Sequence, residues 1–130
     1  SFKKIYSIDT GLANMISFRF SEDKGRILEN LVFLQLRRRY QGLYYYRTTN
    51  GLEVDFVVKE KDNIKELIQV SWDLYDTKTR EREIKSLITA MDELKLNKGL
   101  ILTYDDEEEV KINQKKIQII PVWKWLLAVK

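Results

Sequence analysis

Asn50-Gly51-Leu52-Glu53-Val54-Asp55-Phe56-Val57-Val58 is the stretch that decides the fold. Gly51 marks a turn, and the apolar and acidic residues alternating after it have the pattern of a strand. Side chains two apart on a strand share a face, so Leu52, Val54, Phe56 and Val58 are expected on one side and Glu53 with Asp55 on the other. Two adjacent carboxylates repel and resist burial unless a divalent cation or a basic partner compensates them. Taken alone, the pair fits a solvated acidic face equally well. A site requires other residues to converge on it.

Working outward, Lys61-Asp62-Asn63 supplies a turn into Ile64 to Ser71, which gives an antiparallel hairpin with the strand Leu52 to Lys59. Leu43 to Arg47 is a short aromatic strand before it. Upstream, Ser21 with Glu22 and Asp23 has the form of a helix start, and that helix should run to about Tyr40 and stop at Gly42. Further upstream, Ile5 to Ile8 is apolar, and Asp9 or Thr10 would cap a brief helix through Ile16. Downstream, Ile84, Leu87, Ile88, Met91 and Leu94 repeat at helical spacing between Thr79 and Leu96. Leu100 to Tyr104 reads as a buried strand, Asp105 to Glu109 as a solvated acidic loop, and Ile117 to Ile120 as a last strand. Pro121 then opens a short helix whose Trp123 and Trp125 are expected to pack on the sheet. Helix, three strands, helix, strand, strand predicts an α/β fold, a mixed sheet flanked by helices.

The 130 residues, 44% of them hydrophobic, suffice for one domain over 1–130 with a real core. With no cysteine and no histidine, disulfides, thiolate zinc sites, imidazole bases and imidazole metal ligands are all excluded. Any metal would be a hard, oxygen-liganded ion such as magnesium or manganese. A net charge of +3 permits a nucleic-acid partner without demanding one. No apolar run of membrane-spanning length occurs, which leads to the expectation of a soluble, cytoplasmic protein without a membrane partner. The chain begins with Ser and enters an apolar segment at once, so a fragment of a longer protein is expected.

Two further clues accompany Glu53 and Asp55. Glu29 falls within the apolar arc of its helix, beside Phe33, Leu36 and Tyr40, and must pair with an arginine, snorkel out, or face a metal. Arg26, Arg37, Arg38 and Arg39 are the available partners. Gln69 and Ser71 share one face of the third strand of the set, and would meet Asp55 if the two strands pair.

This order of Glu29, Asp55 and Gln69-Val70-Ser71 resembles the PD-(D/E)XK nuclease superfamily, whose pattern is a helical Glu, a strand Asp and a Glu/Gln-x-Lys. Almost the whole chain is similar to the domain of unknown function that follows the ATPase module of archaeal and bacterial AAA+ ATPases. The likeness rests on Tyr6-Ser7-Ile8-Asp9-Thr10-Gly11-Leu12, Gly25-Arg26-Ile27-Leu28-Glu29-Asn30, Tyr46-Arg47-Thr48, Glu53-Val54-Asp55-Phe56-Val57, Gly99-Leu100-Ile101-Leu102-Thr103 and Ile120-Pro121-Val122-Trp123. It implies a restriction-endonuclease-like core and an N-terminal ATPase module as partner. It also implies DNA as substrate or ligand, with Glu29, Asp55 and Gln69 in catalytic places. Magnesium or manganese would be held by Glu29, Glu53, Asp55 and Gln69. The departure is Ser71, which stands where the pattern has Lys and cannot supply a cation. Lys59, Arg80 or Arg82 would have to substitute; otherwise the site has decayed into a structural polar cluster or into the surface of a non-catalytic module that binds DNA, a protein partner or its own ATPase module. Arg37-Arg38-Arg39 beside Tyr40, Tyr44, Tyr45 and Tyr46 is a mixture used on nucleic acids, although three consecutive helical residues cannot form one flat patch.

Overall fold

The computed structural model describes residues 1–5 and 24–128. Its elements are β1 (Phe2–Lys4), α1 (Lys24–Arg39), β2 (Leu43–Arg47), β3 (Glu53–Glu60), β4 (Asn63–Val70), α2 (Thr77–Leu94), β5 (Lys98–Thr103), β6 (Glu108–Ile112), β7 (Lys115–Pro121) and α3 (Val122–Ala128). The helix start expected at Ser21 and the brief helix expected after Asp9 lie outside the described residues.

The seven strands form one sheet in the order β1-β2-β3-β4-β5-β7-β6. The four strands from β1 to β4 run antiparallel in succession; hairpins join β2 to β3 and β3 to β4, while α1 intervenes between β1 and β2. From β4 the chain crosses through α2 to β5, which lies parallel to β4, and β7 is parallel to β5. The sheet is therefore mixed and helix-flanked, and the α/β expectation holds. α1 and α3 cover one face, where Leu28, Val32, Phe33, Leu36, Phe56, Val58, Ile68, Leu102 and Trp125 form one core. α2 covers the other face, over Val54, Val57, Leu67, Leu87, Met91, Ile101, Ile117 and Ile119. Asp76 caps α2 by accepting from the Thr79 N–H at 3.1 Å. Between α1 and β2, a Cβ on Gly42 would meet the Lys59 carbonyl oxygen at 2.4 Å, so only glycine allows that approach.

Three expectations are corrected. Glu108–Ile112 is an edge strand hairpinned to β7, so the segment read as an acidic loop pairs over its second half. The turn is Asn113-Gln114, with Asn113 at φ 56°, a conformation asparagine tolerates. Of the tryptophans in α3, Trp125 is buried as expected, whereas Trp123 is 55% exposed. The strict alternation in β3 also fails. Tyr44 pairs with Val57 but Tyr46 with Val54, so one residue of β2 faces two of β3, a bulge at Asp55-Phe56. Val54 consequently packs under α2, while Phe56 and Val58 pack under α1.

Candidate functional site

The bulge creates a local deficit of hydrogen bonds. Direct pairing between β3 and β4 begins only at Phe56 and Ile68, leaving the backbone around Glu53 and Asp55 without ladder partners on its β4 side. Side chains fill the gap. Gln69 accepts the Asp55 N–H through Oε1 at 2.8 Å and donates from Nε2 to the Glu53 carbonyl at 3.1 Å. Asp55 in turn accepts the Val70 N–H through Oδ2 at 2.8 Å. Gln69 is 2% exposed, so these bonds form where an unmade one is costly. An amide of this length offers an acceptor and a donor at once without having to hold a proton, which suits glutamine here.

Asp55 and Gln69 are thus brought into contact, as their spacing predicts. Glu29 sits on the first turns of α1, within the arc expected, but at a position open to solvent. Burial raises its pKa and Arg26 partly offsets the rise. At Asp55 burial dominates, with repulsion from Glu29 next; its carboxyl is pushed up to about 8 despite the Val70 N–H. Of the two, Asp55 is the more deeply buried and carries the larger rise.

Glu83, from α2 on the opposite layer, is a member the sequence reading missed. Its side chain is only 16% exposed, and its pKa is raised by burial and by Glu29, with Arg82 acting against both. It also adds to the repulsion on Asp55. The signal in the sequence was slight: one acid among the charges Arg80-Glu81-Arg82-Glu83 at the start of a helix.

Glu53 touches this group only at its margin: it adds the least of the repulsions on Asp55, and its carboxylate takes the Arg47 guanidinium at 2.6 Å, both half-exposed. Of the substitute cations, two are engaged elsewhere and Arg82 stays beside the site. Lys59 lies over the Phe2 ring at 4.3 Å, Arg80 holds Glu108 through two hydrogen bonds, and Arg82 approaches Glu83 only to 3.8 Å. Ser71 donates its hydroxyl to the Asp73 carbonyl at 2.8 Å. Tyr46, from the basic and aromatic cluster, is core and donates to Glu93 at 2.7 Å.

As a metal centre this donor set fits in part. Glu29, Asp55 and Glu83 are hard oxygen donors turned toward a common end of the sheet, while the Gln69 amide and the Glu53 carboxylate are already bonded. Among the described residues, no group of three or more acids stands ready to hold an ion.

The model of the domain of unknown function DUF4143 matches residues 24–125. An uncharacterized protein of Methanocaldococcus jannaschii is 47% identical over 98% of this chain, and the chain spans 30% of that relative's length. No described helix is long and apolar enough to cross a membrane.

Proposed function

The chain belongs to the DUF4143 family, and we propose that it is a divergent nuclease-fold accessory domain that binds rather than cleaves. One observation carries the reading: both side chains of the third-strand pair are committed to backbone, Gln69 to Glu53 and Asp55, and Ser71 to Asp73. Neither is free to bind an ion, position water or offset charge on a phosphate. Activity on a phosphodiester needs such groups aimed at the charge that develops, and removing one typically costs about 10²–10³ in rate. In this reading the domain is one part of a longer polypeptide, with an ATPase module as neighbour and DNA as a ligand. The small share of the relative's length that it matches supports the first part.

Magnesium or manganese, when bound, would supply positive charge to the carboxylates of Glu29, Asp55 and Glu83. Glu29 and Glu83 would approach it from the two helical layers, and Asp55 would give up its proton to do so. A supercoiled-plasmid nicking assay with either ion compares wild type, Ser71→Lys and Asp55→Ala. No nicking by wild type is the expected result. Cutting by wild type that is lost in Asp55→Ala would overturn the proposal in favour of hydrolysis. A ligand bound only by the folded form stabilises it, so a manganese-induced rise in melting temperature that Asp55→Asn abolishes would show that these carboxylates hold an ion; with no acid cluster ready to do so among the described residues, no rise is the expected result.

A further inference from the structure

The edge of the sheet at β6 is open and complementary to itself. β6 is the last strand in the order, and among the described residues only β7 pairs with it. Asn113-Gln114 joins the two as a two-residue turn, so the flanking Ile112 and Lys115 exchange hydrogen bonds. Alternation then directs the backbone groups of Glu108, Val110 and Ile112 to β7, and those of Glu109 and Lys111 outward to the open edge. A row of unpaired N–H and C=O groups is a template for another strand.

The side chains select which strand fits. Glu109 and Lys111 share one face with Val110 between them, and their side chains are 41% and 72% exposed. Within its own chain Lys111 approaches Glu109 only to 3.9 Å, so its ammonium can turn across the edge. A two-fold axis through Val110 sets Glu109 opposite the partner's Lys111, and Lys111 opposite the partner's Glu109. A register centred on Glu109 would oppose two glutamates, and one centred on Lys111 two lysines; like charges directly opposite destabilise a strand pair. The other face is apolar beside the edge. Arg80 of α2 holds Glu108, while Ile88 of α2 lines one groove with Ile112, so the helix runs alongside β6. Ile84 lines the same groove of about 530 Å³, and Glu81 and Lys85 flank it.

We propose that β6 is a dimerisation strand, which pairs antiparallel with β6 of a second copy in the register centred on Val110. The sheet then continues across both copies through an isologous interface. The outward N–H and C=O groups of Glu109 and Lys111 find partners, and two unlike charge pairs form on one face. On the other face the same axis runs the two α2 helices antiparallel and turns the grooves toward each other. Strand pairing alone covers little area; the isoleucines of the grooves supply the apolar part that a stable interface needs. The proposal goes beyond the binding reading above and stands whether or not the domain cleaves.

The test is sedimentation velocity of the whole chain from micromolar to submillimolar concentration. Wild type should sediment as a dimer at the upper concentrations. Lys111→Glu and Glu109→Lys each oppose like charges at two places, and each should weaken self-association by about tenfold or more. Mixed in equal amounts the two variants should dimerise again, because the lysines of one then face the glutamates of the other. Both positions are exposed, so unchanged far-UV circular dichroism will show that the variants fold. A wild type that stays monomeric throughout would overturn the proposal. So would variants that self-associate as tightly as wild type, since the dimer would then use another surface. Monomeric variants that fail to associate on mixing would overturn the register on which the proposal rests.

Discussion

The two ends of the sheet carry like charges of opposite sign, and burial makes their consequences differ. At the end where β3 begins and β4 finishes, Glu29, Asp55 and Glu83 gather from three elements. At the other end, Lys98 pairs directly with Lys116, and Lys116 with Lys111, so a row of lysines crosses β5, β7 and β6. Lys116 and Lys111 keep 46% and 72% of their side chains exposed and share Glu109, at 3.3 and 3.9 Å. Water screens that row, and exposed charges so placed contribute little. The acidic end has Asp55 inside, where repulsion is not screened and a proton is held instead. Like charges become a strong perturbation only where the fold removes water.

Gln69 offers the largest test of that contrast. Gln69→Leu keeps the volume but strips the partners from the Asp55 N–H and the Glu53 carbonyl. Two buried groups left unmade should cost about 2–5 kcal/mol, measured by urea unfolding. A loss below about 1 kcal/mol would show that the bulge is held by other means.

The next effect is in pH. The Asp55 carboxyl titrates at about 8 in the folded chain against 3.8 as its ordinary value. Between those values the folded state keeps a proton that the unfolded chain has lost. Stability is therefore fully present below pH 4, falls as pH rises from about 4 to 8, and levels off above. Asp55→Asn retains an acceptor for the Val70 N–H but has nothing to titrate, so its profile should be flatter over that window by an amount of order a few kcal/mol. Parallel profiles for wild type and variant would mean that Asp55 ionises freely.

The basic end should give the smallest change. Removing Lys98 and Lys116 together as alanines should move stability by no more than about 0.5 kcal/mol. A larger gain, absent at high salt, would show that the lysine row is strained after all.

Much of the fold could be read along the chain, because its signals are local. Strand β2 falls where the aromatic run Leu43-Tyr44-Tyr45-Tyr46-Arg47 indicated, and α2 where the apolar repeat did. Strand β6 escaped because Glu108-Glu109-Val110-Lys111-Ile112 has the charge of a loop, and its pairing with β7 is made by a partner outside the segment. The candidate site was legible in the same uneven way. Asp55 and Gln69 meet because two-residue periodicity and a hairpin force neighbouring strands into contact. The role of Gln69 was not legible, since it depends on a bulge that no pattern in β3 announces. Glu83 was missed because nothing in a helix reveals which of its acids will be turned toward the opposite layer.

Taken by itself, the sequence determined the α/β class, the longer helices and the inner strands, and the absence of imidazole and thiol chemistry, since composition and periodicity are properties of the chain alone. Only the tertiary structure decided which face each residue after the bulge would take, which carboxylate would keep its proton, and that Gln69 would complete a strand ladder. Those outcomes depend on how much water remains around a group once distant segments pack against it, and sequence distance does not encode that.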